Sequence, residues 1–341
     1  MDLAFKPVDN AILTEYFTNI FRHGYIQVKG ITLPKRFLDF HDVIKNFTVY
    51  DDDLWICSFP KSGTTWTQEM IWMIANDLNF EEGKKCMGDR FPFLDYEFLF
   101  DYTRVRDKIE AFDPPVYFEH SVNFIQNLRR PRLIKTHLPW FLLPEQIQSG
   151  EKRPKIIHIA RNPRDVCLSY FHHCKLFEGY TSHLDHFTQL FLTGNGNEKM
   201  QIEVSAIHLC IVVSYAPYWT NVLSYWEKKS ELNFLFLKFE ELKSDLAGAI
   251  RRVATFLCKQ LTDNEVSRLA AHLSFENMKT NKGTNYASLI DLHRRHNLVC
   301  EEGTFIRTGE TGSYKLRYPQ ELSTQFDEWV KSGDVDHKMG Y

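Results

Sequence analysis

Apolar residues recur along this chain with two periods. Four short runs, Leu54 to Cys57, Leu133-Ile134 leading into Lys135, Ile156 to Ala160 and Phe234 to Phe239, are apolar at nearly every position. Such runs read as strands covered on both faces, the pattern of a parallel sheet. Between them the spacing changes to three and four. Trp66, Met70, Met73, Ile74 and Leu78 lie on one stripe of a helix running from Thr65 to Leu78. Phe37, Phe40, Ile44 and Phe47 mark a second helix, and Tyr218, Trp219, Val222, Tyr225 and Trp226 a third within Tyr215 to Lys229. Helices are also expected from Asp245 to Cys258, from about Asn264 to Leu273 and from Glu321 to Trp329, and one opens at Pro163, a residue suited to a first helical turn. A short strand and turn are expected between Gly24 and Ile31.

Strands alternating with helices predict an α/β fold: a central, mainly parallel sheet of about five strands with helices on both faces. No internal repeat or linker divides the chain, so one domain over residues 1–341 is expected. Two stretches lack clear periodicity. Residues 80–130 are loop-rich but crowded with aromatics, including Phe91, Phe93, Tyr96, Phe98, Phe100 and Tyr117. They form either a satellite core or the lining of an apolar acceptor pocket. Residues 179–205, with Gly194-Asn195-Gly196-Asn197, read as a mobile loop. Asp51-Asp52-Asp53 reads as a solvated turn.

Of the 341 residues, 43% are hydrophobic and 25% charged, an ordinary globular composition. The formal net charge of −3 gives no global field for nucleic acid or an anionic membrane, so any phosphate site must be built locally. Seven cysteines, an odd number without a Cys-x-x-Cys pair, suit a reducing compartment; Cys57 and Cys258 read as packed thiols. With neither a signal-peptide core nor an apolar run of membrane length in the sequence, a cytoplasmic location is expected, and the sequon Asn46-Phe47-Thr48 is read as coincidence.

The candidate chemistry lies where the predicted strands end. Leu54 to Cys57 leads into Ser58-Phe59-Pro60-Lys61-Ser62-Gly63-Thr64-Thr65-Trp66, a tight turn opening a helix. Backbone N–H groups and the helix dipole favour an anion there, and Lys61 adds a positive charge. The order is not that of a Walker loop, in which Lys follows the second Gly, and no Mg²⁺-binding Asp stands at a strand end. A P-loop kinase is therefore disfavoured. The second strand ends in Lys135-Thr136-His137-Leu138-Pro139 and the third in Arg161-Asn162-Pro163, followed by Val166, Ser169, Tyr170 and His173 on related helix faces. A Gly-punctuated loop, Phe305-Ile306-Arg307-Thr308-Gly309, offers one further Arg. No metal-ligand spacing is present; His172-His173 is merely adjacent.

Pro-Lys-Ser-Gly-Thr-Thr-Trp resembles the 5′-phosphosulfate loop of the cytosolic sulfotransferases, and the other motifs extend the resemblance from about Gly24 to Ser313. The resemblance implies a P-loop-like fold and transfer of a sulfuryl group from 3′-phosphoadenosine 5′-phosphosulfate (PAPS) to a small hydroxyl or amine, leaving PAP, with no metal. It implies that Lys61, Ser62, Gly63, Thr64 and Thr65 hold the phosphosulfate and that Trp66 stacks on adenine. Arg161, Ser169, Arg307, Thr308 and Gly309 would bind the 3′-phosphate, with Phe239 and Ser274 near the nucleotide. His137 would be the base, Lys61 and Lys135 active-site cations, and Phe93, Lys135, His137 and His173 the acceptor contacts. An apolar or aromatic alcohol, such as a phenol, steroid or retinoid-like compound, is the expected acceptor, with no nucleic-acid or membrane partner.

The chain departs from the family pattern at Phe239, where Tyr is common, at Leu273, which replaces a hydroxyl residue, and at Thr308, which replaces a basic one. The family's dimer motif is absent after Lys315, where Pro319 and Gln320 stand in place of Thr-Val, and this leaves the oligomeric state open. A sulfation-driven dehydratase and a non-catalytic PAP- or PAPS-binding relative remain as alternatives.

Overall fold

The computed structural model describes residues 5–8, 15–18, 20–109, 111–192, 213–299, 302–332 and 339. Among these, seven strands form two sheets. An antiparallel sheet is built from β1 (Phe5–Pro7), β2 (Tyr25–Val28) and β3 (Ile31–Pro34). The central sheet contains β4 (Leu54–Cys57), β5 (Leu133–Thr136), β6 (Lys155–Ala160) and β7 (Phe234–Lys238), all parallel, in the order β5-β4-β6-β7. The expected fifth strand is reduced to a single parallel bridge beyond β5. There the Lys135 N–H donates to Pro92 O at 2.9 Å and the Leu94 N–H to Lys135 O at 2.9 Å, around Phe93. Pro92 has no N–H to extend the ladder.

Alternation along the central strands divides the interior in two. Trp55, Cys57, Ile134 and Ile156 face one core, shared with Val166 and Tyr170 of the helix Pro163–Phe177. Leu54, Ile56, Leu133 and Ile157 face the other, shared with Met70, Met73 and Ile74 of the helix Thr64–Ala75. Helices therefore cover both faces, as the continuous apolar strands require.

Several local expectations are revised. The helix Thr64–Ala75 is buried well beyond one stripe. Glu69 is fully buried on it, paired with Arg90 and with His272. The helix expected from Tyr215 begins only at Tyr218, because Pro217 precedes it and Tyr215 has φ +68°. Phe239 closes no strand; it opens the helix Phe239–Ser244. Part of the expected loop at 179–205 is an ordered helix, Leu184–Leu192, with Phe187 and Phe191 buried. Residues 193–205 of that stretch lie outside the described residues. Asp53 is not solvated: it is buried and accepts from Arg132 Nε at 2.8 Å and Nη2 at 2.5 Å. Cys57 is buried, whereas Cys258 is exposed. The aromatic stretch folds into single helical turns such as Tyr96–Leu99 and Val116–Glu119.

Candidate active site

The carboxyl ends of the four parallel strands lead directly into Ser58, His137, Arg161 and Phe239. Open α/β sheets place ligands at this edge. Here it opens into a cavity of about 390 Å³. Its walls include Lys61, Gly63, Thr64, Thr65 and Trp66 from the loop after β4, and Lys135 and His137 from β5 and its end. Arg161, Ser169 and His173 come from β6 and the helix after it, and Phe239, Ser274, Arg307, Thr308 and Gly309 from the later segments. Phe93 lines the same space. Of the residues that the resemblance implies for the site, Ser62 is absent from the wall, and of the aromatic stretch Phe91, Phe98 and Tyr117 pack into the cores instead of lining it. Ser62 is buried beneath the loop, and its hydroxyl has no hydrogen-bond partner.

The loop after β4 is shaped by two left-handed residues, Lys61 at φ +68° and Gly63 at φ +102°. Gly63 is required twice. Its φ disfavours a side chain, and a Cβ there would stand 2.6 Å from the Phe239 ring. Gly63 caps the helix Thr64–Ala75, so unpaired N–H groups of the first turn face the cavity end of the sheet. The Lys61 ammonium packs 3.9 Å from the centre of the Phe305 ring. Desolvation, then repulsion from Lys135, Arg161 and Arg307, brings its pKa down to about 7. Desolvation and the neighbouring Arg317 and Arg161 likewise lower Arg307. Like charges crowded in this way make a site whose electrostatics improve when an anion enters. Arg161 is held in place by donating to Lys61 O at 3.4 Å and Glu310 O at 2.7 Å, with its guanidinium 4.3 Å from the Phe239 ring. Trp66 donates from Nε1 to Leu273 O at 2.9 Å and meets Phe239 edge-on at 5.5 Å. Because the Trp66 anchor is a backbone carbonyl, Leu273 supplies it despite lacking a hydroxyl.

His137 lies beside the start of the loop after β4. Its Nδ1 lies 2.8 Å from the Ser58 carbonyl oxygen, which can only accept. Nδ1 therefore carries the hydrogen, and Nε2 is left with the lone pair. Desolvation, Lys135 and Lys61 push its pKa well below the usual imidazole range, so the ring is neutral at neutral pH. Phe93 and Tyr215 fix the ring plane with centroids 4.9 and 5.5 Å away. Lys135 stands over Phe93 at 4.1 Å, and burial lowers its pKa to about 8.

Sequence reasoning missed Asp95. This buried carboxylate accepts from Thr136 Oγ1 at 2.7 Å, from the His137 N–H at 2.8 Å and from the Tyr215 hydroxyl at 2.8 Å, and thereby ties down the strand end that carries His137. Burial raises its pKa to about 6. The sequence offered one signal, an acidic residue inside the aromatic run Phe93 to Phe100. Asp165 was also missed. It accepts from the N–H groups of Gly312 at 2.7 Å and Tyr314 at 3.4 Å, and from the Ser313 hydroxyl at 3.2 Å, anchoring the loop that bears Arg307.

An anion cradle and a neutral imidazole thus share one cavity at the carboxyl edge of a parallel sheet. A family profile for the sulfotransferase domain matches residues 51–340. The luciferin sulfotransferase of Photinus pyralis is 37% identical over 96% of this chain and 85% of its own length. Human sulfotransferase 1E1 is 30% identical over 89% of this chain and 90% of its own. The crystal structure of retinol dehydratase in complex with retinol and PAP superposes with a TM-score of 0.82 at 27% identity, covering 98% of this chain and 97% of that one. The chain belongs to the sulfotransferase family.

Proposed function

We propose that this sulfotransferase moves the sulfuryl group of PAPS to the hydroxyl of a small apolar or aromatic acceptor, with amines as a lesser class. The observation that carries this reading is the pairing, in one cavity, of a neutral His137 with Nε2 free to accept a proton and a Lys61 loop crowded with positive charge. Two features fit the nucleotide: the buried Ser62 hydroxyl without a partner beneath the loop, and Gly63, where a Cβ would collide with Phe239. Lys61, Ser62, Gly63, Thr64 and Thr65 would hold the 5′ end, Trp66 and Phe239 the base, with Ser274 beside them. Arg161, Ser169, Arg307, Thr308 and Gly309 would hold the 3′-phosphate.

The donor supplies an activated sulfuryl group with a phosphate as leaving group. His137 takes the acceptor proton, a step typically worth about 10²–10⁴-fold. Lys61 meets the charge that gathers on the leaving oxygen. Lys135, Phe93 and His173 position the acceptor, and the rest of the catalysis is orientation. His137→Ala should leave PAP affinity near wild type and lower transfer to a phenol by about 10²-fold or more. Near-full transfer in that variant would refute the base assignment. Calorimetry with PAP tests the cradle independently, and absence of binding to folded protein would refute it.

The family supports a cytoplasmic protein acting on small molecules; among the described residues no helix is long and apolar enough to cross a membrane. The likeness to retinol dehydratase keeps sulfation-driven dehydration as a second reading. Product mass separates the two, because dehydration returns an alkene and free sulfate.

A further inference from the structure

The acceptor side of the cavity is walled by aromatic and aliphatic residues, among them Phe100, Tyr102, Phe177, Leu289 and Phe305. Besides Lys135 and His137, a further charged patch interrupts this apolar lining. Glu178, at the carboxyl end of the helix Pro163–Phe177, lines the wall although it is only 4% exposed. Arg22, from the N-terminal part of the chain, donates to its Oε2 at 2.8 Å and is also buried. The other oxygen, Oε1, faces Nε2 of His173 at 3.8 Å, too long for a hydrogen bond. His173 Nδ1 and Arg22 Nη2 are buried without partners.

A buried ion pair is seldom worth more to folding than apolar residues of the same volume. Its position in the wall of an acceptor cavity calls for a different account. Arg22 already balances the charge of Glu178, so the patch gains little from a second cation. Burial and the nearby Lys61, Lys135 and His137 keep His173 neutral. With its hydrogen on Nε2, a neutral His173 offers a donor on the side of Glu178 Oε1. A single hydroxyl oxygen seated at ordinary hydrogen-bond distance from both atoms closes the gap, accepting from His173 and donating to Glu178. An ammonium, which only donates, satisfies one side.

We propose that His173 and Glu178, braced by Arg22, form a second hydroxyl-binding point in the acceptor cavity, so that the preferred acceptors are aromatic or apolar diols. One hydroxyl is presented to His137 and the other to this pair. The inference rests on the function proposed above and narrows its acceptor class.

Matched probes of two spans test it: phenol against resorcinol, and para-phenylphenol against para,para′-biphenol, with saturating PAPS and product read by mass. In the wild type, the dihydroxy member of at least one pair should be favoured in kcat/KM by about tenfold or more after correction for its two equivalent hydroxyls, the usual effect of filling buried polar groups. His173→Phe and Glu178→Gln, the latter leaving Arg22 an acceptor, should each bring that ratio to within about threefold of parity. Calorimetric binding of the same probes without donor should follow the same ranking. Parity for both pairs in the wild type, or a preference that survives in both variants, overturns the proposal. Failure of the sulfotransfer reading looks different: no probe is sulfated, while probe binding still ranks as described.

Discussion

Lys61 is the residue whose charge the site most depends on, and that charge is finely poised. With a pKa brought down to about 7 in the free protein, it is fully charged only below that pH. A bound anion raises the pKa, so binding above about pH 7 must draw in a proton, and affinity falls as pH rises, by at most about tenfold per unit. PAP calorimetry across neutral to alkaline pH, in buffers of different ionisation enthalpy, should show proton uptake and this decline. Lys61→Met should bind weakly and lose the part of the dependence above pH 7. His137 is shifted down as well, so it stays unprotonated into mild acid, while the neighbouring Asp95 takes up its proton at about pH 6. The positions of Lys61 and His137 just after apolar runs were legible in the sequence, and the roles proposed for them came from the family resemblance. The role of Asp95 was not legible, since its three donors come from Thr136, His137 and Tyr215, brought together only by folding.

The most exposed element of the site is the segment Phe305 to Ser313. Gly309, at φ +61°, lies where a Cβ would meet the Phe275 ring at 2.6 Å, and Asp165 holds the segment's far end with three hydrogen bonds. Asp165→Ala should therefore loosen the Arg307 loop more than the fold. PAP affinity is expected to fall by about tenfold or more, while the unfolding midpoint falls by a few degrees, in line with three hydrogen bonds worth about 1 kcal/mol each. Calorimetry and thermal denaturation on the same preparation separate the two effects. At this scale the sequence placed the strands well and the helix ends less well. The start at Pro163 was visible in the Asn162-Pro163 pair, where the Asn162 side chain accepts from the Arg164 N–H at 3.0 Å. The helices Leu184–Leu192 and Ala287–Arg295 were not anticipated, because polar flanks hid their apolar faces.

In the molecule as a whole, the two cores meet across a sheet that carries one unusual passenger. His158, on β6, is fully buried between Tyr225 and Phe236, with centroids 4.4 and 5.0 Å away, and neither ring nitrogen has a hydrogen-bond partner. Burial lowers its pKa to about 3, against the usual 6.5. The unfolded chain therefore binds a proton at that position below about pH 6.5 while the folded chain does not, so stability is lost progressively as pH falls from there towards 3. His158→Leu should remove that part of the acid sensitivity. Unfolding free energies from urea titration should give the variant a growing advantage over the wild type as pH falls, larger by up to a few kcal/mol near pH 4 than at neutrality. Equal acid slopes would refute this account.

The sequence by itself determined the parallel α/β architecture and the placement of Lys61, His137 and Arg161 just after its apolar runs. Those follow from local periodicity and from turn chemistry, which act over a few residues. Only the tertiary structure decided the tautomer of His137, the lowered proton affinity of Lys61, the bracing carboxylates Asp95 and Asp165, and the polar break at Glu178, His173 and Arg22. Each of these depends on desolvation or on a partner remote in sequence. Burial and distance exist only once the strands and their following loops have been brought together.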